Sequence, residues 1–599
     1  MGFDELGGVS YYVGILVGFM LILKWVLKSV NVWIYERNLG KKKRECLPPG
    51  DMGWPFIGNM WSFLRAFKSS NPDAFISTLL LRLCGTVPKW RGGSRRGQCP
   101  RRGRKKYTTP ASFGVHRRGN ANAGQRRVEA SFDRSTVFFG NGLVDVSDGH
   151  VNIDLNAGED VEADEFEDVE ADPVPPPRTR PIGRDKAKYG SKGLYKSFMF
   201  GSPSIIVTIP EACRKVLYDD DAFQPGWPTA TMELIGKKSF IGISYEEHKR
   251  LRKLTAAPVN GHEALSTYMR YIETNVVSTL EEWSKMGRIE FLTKLRKLTF
   301  QIIMHIFLSS EGENVMEALE KEYTSLNYGV RAMAINIPGF AYYNALKARK
   351  KLVAILQKIV QERRKTRETT EGMSKKDMLD ALLDSADDKG RKLDDEEIID
   401  TLVMYLNAGH ESSGHITMWS TILLQEHPEC LRIAKEEQER IVKNMPSTQK
   451  ALTLKEYRQM EYLSKVIDET LRLVTFSLMT FREAKKDVDI TGYFIPKGWK
   501  VLLWFRSVHH DPEIYTQPKE FNPSRWDDVV PKPGTFLPFG AGSRLCPGND
   551  LAKLEIAIFL HHFLLNYEFE RENPKCRIMY LPHSRPKDNC LGRIRRVSK

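Results

Sequence analysis

The stretch FGAGSRLCPGNDLAKLEIAIFLHHFLL, beginning at Phe539, restricts what this chain can fold into more than any other. Cys546 lies between a glycine-rich loop and an apolar run that reads as a final amphipathic helix starting near Pro547. The positive end of a helix and its free backbone amides stabilise negative charge on sulfur, so the position favours a thiolate. Gly540, Gly542 and Gly548 let the backbone pass close to something flat and bulky, and Arg544 sets a cation near an anionic ligand group. Spacing excludes a dinucleotide-binding loop: after Gly540 and Gly542 the third glycine falls due at 545, which is Leu545. A plain buried cysteine would need none of this glycine and arginine scaffold.

Phe539, Gly542, Arg544, Cys546 and Gly548 together make the pattern F-x-x-G-x-R-x-C-x-G. In this the loop resembles the haem-binding loop of the cytochrome P-450 family. The resemblance implies haem b (iron protoporphyrin IX) as cofactor, Cys546 as axial thiolate ligand of the iron, and the other four residues as part of the cofactor's seat. It also implies a mainly α fold with a small β portion.

Three further constellations agree with it. Glu469 and Arg472 form an E-x-x-R on a predicted helix, where i,i+3 spacing puts both charges on one face. Alone, that reads as a surface ion pair. The resemblance makes it a buried structural pair joined by Arg525 of FNPSRW, although the proline usual three residues after the arginine is Thr475 here. Next, Ala408 to Ser413 (AGHESS) falls midway along a long helix. By resemblance Glu411 and Ser412 are the acid and alcohol of a proton relay, with serine in place of the family's threonine. The same run approaches the zinc motif H-E-x-x-H, but the second histidine is due at Gly414 and arrives at His415, well off the metal face. Third, HKRLRK at 248–253 resembles the family's W-R-x-x-R helix, with His248 for tryptophan. Arg252 then becomes the main contact to a haem propionate, His248 a weaker one, and Arg482 of TFREA another. Taken one at a time, these basic residues read equally well as a solvated face.

Forty-one per cent hydrophobic and 28% charged residues make an ordinary globular mixture. The net charge of +15 fits nucleic acid, an anionic membrane surface or an acidic redox partner, and does not choose among them. The cysteines are scattered, with no C-x-x-C pair and no cysteine–histidine spacing suited to zinc, so a disulfide-stapled secreted protein is disfavoured and a reducing compartment fits. Between Leu6 and Leu23 there is no charged residue, a length that suits one membrane-spanning helix. Only Asp4 and Glu5 precede it, while Lys24, Lys28, Arg37 and the run Lys41 to Arg44 follow. Positive charge on that flank keeps it cytosolic. The expectation is a single-pass protein of the endoplasmic reticulum membrane with its catalytic domain in the cytosol.

Four parts follow along the chain: an anchor with its basic flank at 1–44, a proline hinge and the first part of the haem domain at 45–84, an insertion at 85–187, and the main haem domain at 188–599. The insertion is arginine-rich, then acidic, then proline-rich around 173–177, and has too few large apolar residues to order itself. Arginine runs can bind RNA or DNA, but a self-complementary polyampholyte is the preferred reading, and no nucleic-acid partner is expected. After it, GLYKSFMFGSPSIIVTIP reads as two strands about a turn, with a helix from Pro210. A capping box of Asp394 and Glu397 opens a helix that stops before Pro428.

The chain carries no flavin- or nicotinamide-binding signature, so the resemblance implies electrons from NADPH through an NADPH–cytochrome P-450 reductase. Stretches such as LPPGDMGWPFIGNMWSFLRAFKSSNPDAF and FIGISYEEHKRLRKLTAAPVNGHEAL are similar to the plant ent-kaurenoic acid oxidases of that family. That likeness implies a small hydrophobic terpenoid substrate, oxidised in several steps on the way to a gibberellin. A triterpenoid or brassinosteroid oxidase is the alternative, and a form inactivated by the insertion is another. Substrate-facing residues are expected from Trp227 to Ile235 and on the helix face near Ala408.

Overall fold

A computed structural model describes residues 19–85 and 193–597, apart from short gaps. Most of the expected anchor and the whole basic-then-acidic segment lie outside the described residues. Among those described, no helix is long and apolar enough to cross a membrane.

The principal helices are α1 (Met60–Lys68), α2 (Asp73–Gly85), α3 (Tyr245–Asn260), α4 (His262–Lys285), α5 (Phe291–Leu308), α6 (Glu313–Val330), α7 (Ala341–Thr369), α8 (Asp395–Glu426), α9 (Pro428–Asn444), α10 (Glu461–Val474) and α11 (Asn549–Asn566). Five strands make the main sheet: β1 (Leu194–Met199), β2 (Ser202–Val207), β3 (Phe223–Pro225), β4 (Thr480–Ala484) and β5 (Lys500–Leu503). Their spatial order is β1-β2-β5-β4-β3, and only the β2–β5 pair is parallel. Phe200 and Gly201 both take positive φ between β1 and β2, as a two-residue hairpin turn requires. The mainly helical reading with a small β portion therefore holds.

The segment around Pro48 and Pro49 is fastened to the domain that follows it. The Lys196 amide donates to the Pro49 carbonyl at 2.9 Å and Asn59 to Phe198 at 3.0 Å, while Leu47 and Met52 are buried. Upstream, Asn31 donates to the carbonyls of Met52 and Trp54, and the buried Glu36 pairs with Lys196 at 2.7 Å.

Helix α8 runs for 32 residues, and its Asp394–Glu397 capping box is present as expected. Most side chains from Ile398 to Met418 are buried, because α5, α7, α10 and α11 all pack on this helix. The expectation for α11 needs correcting. It is not amphipathic: Leu551, Leu554, Ile556, Ala557, Ile558, Phe559, Leu560, Phe563 and Leu564 are buried around its whole circumference. A helix that is apolar all round belongs in a core. It also begins at Asn549 with Gly548 as N-cap, so Cys546 stands in the loop ahead of it.

Candidate haem-thiolate site

The loop before α11 is shaped by two glycines. Gly542 has φ +74°, and a Cβ there would meet the Leu217 carbonyl oxygen at 2.2 Å, so a side chain is barred twice over. Gly548 is the opposite case: a Cβ there would meet nothing within 4 Å. Between them the Cys546 amide donates to the Phe539 carbonyl at 2.9 Å, which closes the loop and sets the sulfur. Burial pushes the Cys546 thiol up, opposed by the Gly548 amide and the Arg252 charge. The expected thiolate is therefore not favoured in the protein alone. Burial outweighs the amides because the helix starts beyond the cysteine. A bound metal cation would supply the missing positive charge, and binding would release the proton.

Beside this loop lies a cluster of cations. Arg252 of α3 donates to the Leu545 carbonyl at 2.6 Å, and Arg544 to the Phe240 and Ile243 carbonyls at 2.9 and 3.4 Å. Arg482, on β4, is buried and donates to the Phe481 carbonyl at 3.1 Å. Burial lowers the Arg482 guanidinium to about 10, and burial together with repulsion from Arg482 does the same to Arg544. His248 is pushed down to about 3 by burial and by Arg544, Arg252 and Arg482, so it is a neutral imidazole. None of the three arginines has a carboxylate ion-pair partner among the described residues. Asp220 acts on Arg482 and Arg544 only at longer range, and its carboxylate accepts from the Ser543 hydroxyl at 3.0 Å. Three cations gathered around a neutral imidazole with no matching anion are costly to bury. The arrangement suits a ligand that brings two carboxylates of its own, as the propionates of haem would.

Met404, Ala408 and Ser412 form a line at i,i+4 spacing along α8 that is less buried than its surroundings, with Ala408 exposed. Tyr405 ties this helix to α3 by donating to Thr255 Oγ1 at 3.1 Å, and its hydroxyl feels the charges of Arg252 and Cys546. The Ser412 hydroxyl donates to the Ala408 carbonyl at 3.0 Å. Glu411 does not share the exposed line. Its carboxylate is buried and ion-paired with Arg296 of α5. Burial pushes this carboxyl up, but the hydrogen bond from His410 and the charge of Arg296 outweigh it and hold the group well below its usual range. His415, pushed down to about 4 by burial, is neutral, so its 3.6 Å approach to Glu411 is not an ion pair. Among the described residues no group of three or more His, Cys, Asp or Glu is placed to hold a metal ion.

The E-x-x-R pair is buried, not a surface pair. Arg472 donates Nε and Nη2 to the two Glu469 oxygens at 2.9 and 2.8 Å, and Arg525 Nε reaches Glu469 at 3.2 Å. Arg472 also donates to the carbonyls of His509 and Pro518, both at 2.8 Å, pinning the chain that leads into the cysteine loop. Thr475, in place of the usual proline, is a left-handed C-cap whose hydroxyl donates to the Arg472 carbonyl at 2.8 Å. Trp227, expected near substrate, packs on Phe481 with ring centroids 5.0 Å apart.

Arg296 and Thr299, absent from the sequence-based set, belong to the site. Thr299 Oγ1 donates to the His410 carbonyl at 2.8 Å, one residue before Glu411. Their polarity does not set them apart, since Thr293, Lys294, Lys297 and Gln301 on α5 are polar as well. Nothing local in the sequence says which helix they meet.

A family model described as Cytochrome P-450 matches residues 186–587. Ent-kaurenoic acid oxidase 1 of Arabidopsis thaliana is 56% identical over 573 residues, covering 96% of this chain and 95% of that protein. A 7,8-epoxymelianol synthase of Ailanthus altissima is 44% identical over 581 residues, covering 97% of this chain and 95% of the relative. Among solved structures, the retinoic acid-bound cyanobacterial CYP120A1 aligns with a TM-score of 0.62 at 26% identity, covering 69% of this chain and 94% of that one.

Proposed function

This chain belongs to the cytochrome P-450 monooxygenase family, and we propose that it oxidises ent-kaurenoic acid, in several steps, towards a gibberellin. The observation that carries the cofactor assignment is the unpaired cluster of Arg252, Arg482 and Arg544 beside Cys546. Identity of 56% along almost the whole chain to an ent-kaurenoic acid oxidase supports the substrate.

Cys546 Sγ is the residue to bind the haem iron, with Arg252, Arg482, Arg544 and the neutral His248 taking the propionates and Phe539, Gly542 and Gly548 shaping the seat. When bound, the haem supplies dioxygen activation, and the thiolate's electron density favours O–O cleavage. The protein contributes position, protons and dryness. Glu411 is ionised at neutral pH and accepts a proton at its carboxylate, while Ser412 presents a hydroxyl on the exposed line of α8. Arg472 and Arg525 keep Glu469 neutralised and so hold the strand-to-loop path that carries Cys546. Trp227, Phe481 and the Met404–Ala408 face supply an apolar wall for a terpenoid skeleton.

Electrons come from NADPH through a cytochrome P-450 reductase, drawn by basic residues on the cysteine side. The uncharged segment before Lys24 anchors the chain once in the endoplasmic reticulum membrane, the catalytic domain being cytosolic. Exposed Phe19 and Ile22 at the end of that segment and Trp25 and Trp33 just after it support this, because they present a run of apolar surface. The test is turnover in reductase-containing microsomes supplied with NADPH and ent-kaurenoic acid. Oxidised diterpene acids are the expected products. Haem-loaded protein that leaves the acid untouched but oxidises a triterpenoid favours the second reading, which rests on the 44% identical epoxymelianol synthase.

A further inference from the structure

Ent-kaurenoic acid carries a carboxyl group, ionised at neutral pH, on an otherwise apolar skeleton. Taking that carboxylate out of water is costly unless a cation meets it. The apolar wall of Trp227, Phe481 and the Met404–Ala408 face offers no charge. The arginines described so far are committed: Arg296 pairs with Glu411, Arg472 and Arg525 share Glu469, and Arg252, Arg482 and Arg544 surround the cysteine loop.

Another arginine lies further along the same path. The less buried line of α8 does not end at Ser412. At i,i+7, on the same face, comes Trp419, again less buried than the residues on either side of it. Between the two the helix axis rises by roughly 10 Å, a span that a fused polycyclic skeleton fills. The Trp419 indole donates to the Ser584 carbonyl at 2.9 Å. His415, which lies between them on α8, has its ring centroid 5.2 Å from that of His583, and His583 stacks on Phe476 at 4.0 Å. Residues 583 and 584 are thus held against α8 on one side and against the segment 476–480 on the other. Every side chain of that segment is half-buried.

Arg585 is the next residue. It is half-buried, and its acceptor among the described residues is the Leu581 carbonyl, at 3.3 Å. Among the same residues no carboxylate forms an ion pair with it. Leu581 in turn packs in the apolar cluster that holds Leu478, Met479, Trp227 and Phe481. The guanidinium is therefore tethered at the edge of the apolar wall, with donors left for a ligand. Its charge reaches back to α8: His415, pushed down chiefly by burial, also feels Arg296 and Arg585. Half-burial suits the task. A lone cation wholly buried is costly before any ligand arrives, and one wholly exposed pairs weakly.

We propose that Arg585 receives the carboxylate of the substrate through paired N–H donors, setting the polar end of the terpenoid near Trp419 and its rings along α8 towards Ser412 and Ala408. An arginine fork matches a carboxylate in this way. The assignment rests on the substrate proposed above. It makes the charge of the acid, and not only its shape, a condition of tight binding.

Equilibrium dialysis of the haem-loaded full chain tests this, with ent-kaurenoic acid and the neutral alcohol in which CH2OH replaces the carboxyl group. Wild type is expected to bind the acid about thirtyfold more tightly, as for a hydrogen-bonded contact to a charged group. Equal binding of the two overturns the proposal. In Arg585→Met the preference is expected to vanish, and in Arg585→Lys to survive only in part, because charge remains without the planar fork. The ratio of KM values for acid and alcohol in turnover is expected to follow the same order. A preference that survives whole in Arg585→Met overturns the assignment. Should Arg585→Met fail to load haem, Arg585→Lys decides, since an undiminished preference there overturns it as well. Wild type that binds neither compound contradicts the substrate reading itself and takes this assignment with it, a result distinct from the other outcomes.

Discussion

Arg296 of α5 holds the carboxylate of Glu411 on α8, across 115 residues of chain, in the turn next to Ser412. The pair decides what the acid of the proposed relay can do. Because Arg296 is partly exposed, at 22% of its side chain, while Glu411 is at 5%, the carboxylate depends on the arginine more than the reverse.

Replacing Arg296 with leucine leaves a buried carboxylate uncompensated, at a cost of roughly 3–5 kcal/mol. Glu411 has a depressed folded-state value, so its contribution to stability is present above the ordinary carboxylate range and is lost as pH falls through that depressed value. Thermal unfolding against pH checks this. Wild type is expected to keep the contribution well into the acid range, and Arg296→Leu to have lost it already at neutral pH. Glu411→Gln in the Arg296→Leu background is expected to recover part of the stability, since the unpaired charge is gone.

The arginine cluster makes an opposite prediction for apo and loaded protein. Arg482 is buried beside other cations, so Arg482→Met is expected to leave apo-protein as stable as wild type, or more so. The same change is expected to weaken haem retention, measured as the rate of haem transfer to an acceptor protein. Loss of apo stability together with unchanged retention contradicts the propionate assignment.

How much of this was legible beforehand depends on where each partner lies in the chain. The capping box of Asp394 and Glu397 is a local pattern that spacing alone placed, whereas the burial of the E-x-x-R pair and the role of the loop around Cys546 came through the family resemblance. Arg525 came through the family resemblance, because 53 residues separate it from Arg472. Arg296 and Thr299 stayed hidden because residues on α5 meet α8 only after the intervening chain has folded back. Periodicity misled at α11, where buried neighbours on several sides remove the polar face that an amphipathic helix needs.

The Glu469 network supports a stability prediction. Its carboxylate serves two arginines and the Asn522 amide, and both Glu469 and Arg472 are 0% exposed. Glu469→Ala therefore strands two buried cations and is expected to cost at least roughly 3–5 kcal/mol, preventing accumulation of haem-loaded protein. Arg525→Lys keeps charge but loses the planar fork, and is expected to fall between that variant and wild type in unfolding temperature.

Deleting residues 85–187 tests whether the basic-then-acidic segment matters. Doubling a loop costs only about 0.6 kcal/mol in closure entropy, so the haem domain is expected to tolerate the segment. The shortened chain is expected to match the full one in haem content and turnover. Activity that appears only after deletion makes the full-length form an inactive one.

The reduced, carbon-monoxide-bound absorption spectrum of the full chain in membranes, taken beside Cys546→Ser, tests the central claim most directly. The account predicts a strongly red-shifted Soret band in wild type that is absent from Cys546→Ser, because the thiolate on the iron produces the shift. A band that persists in Cys546→Ser contradicts the assignment of Cys546 as the ligand, and a wild-type chain that binds haem without the shifted band contradicts the thiolate site altogether.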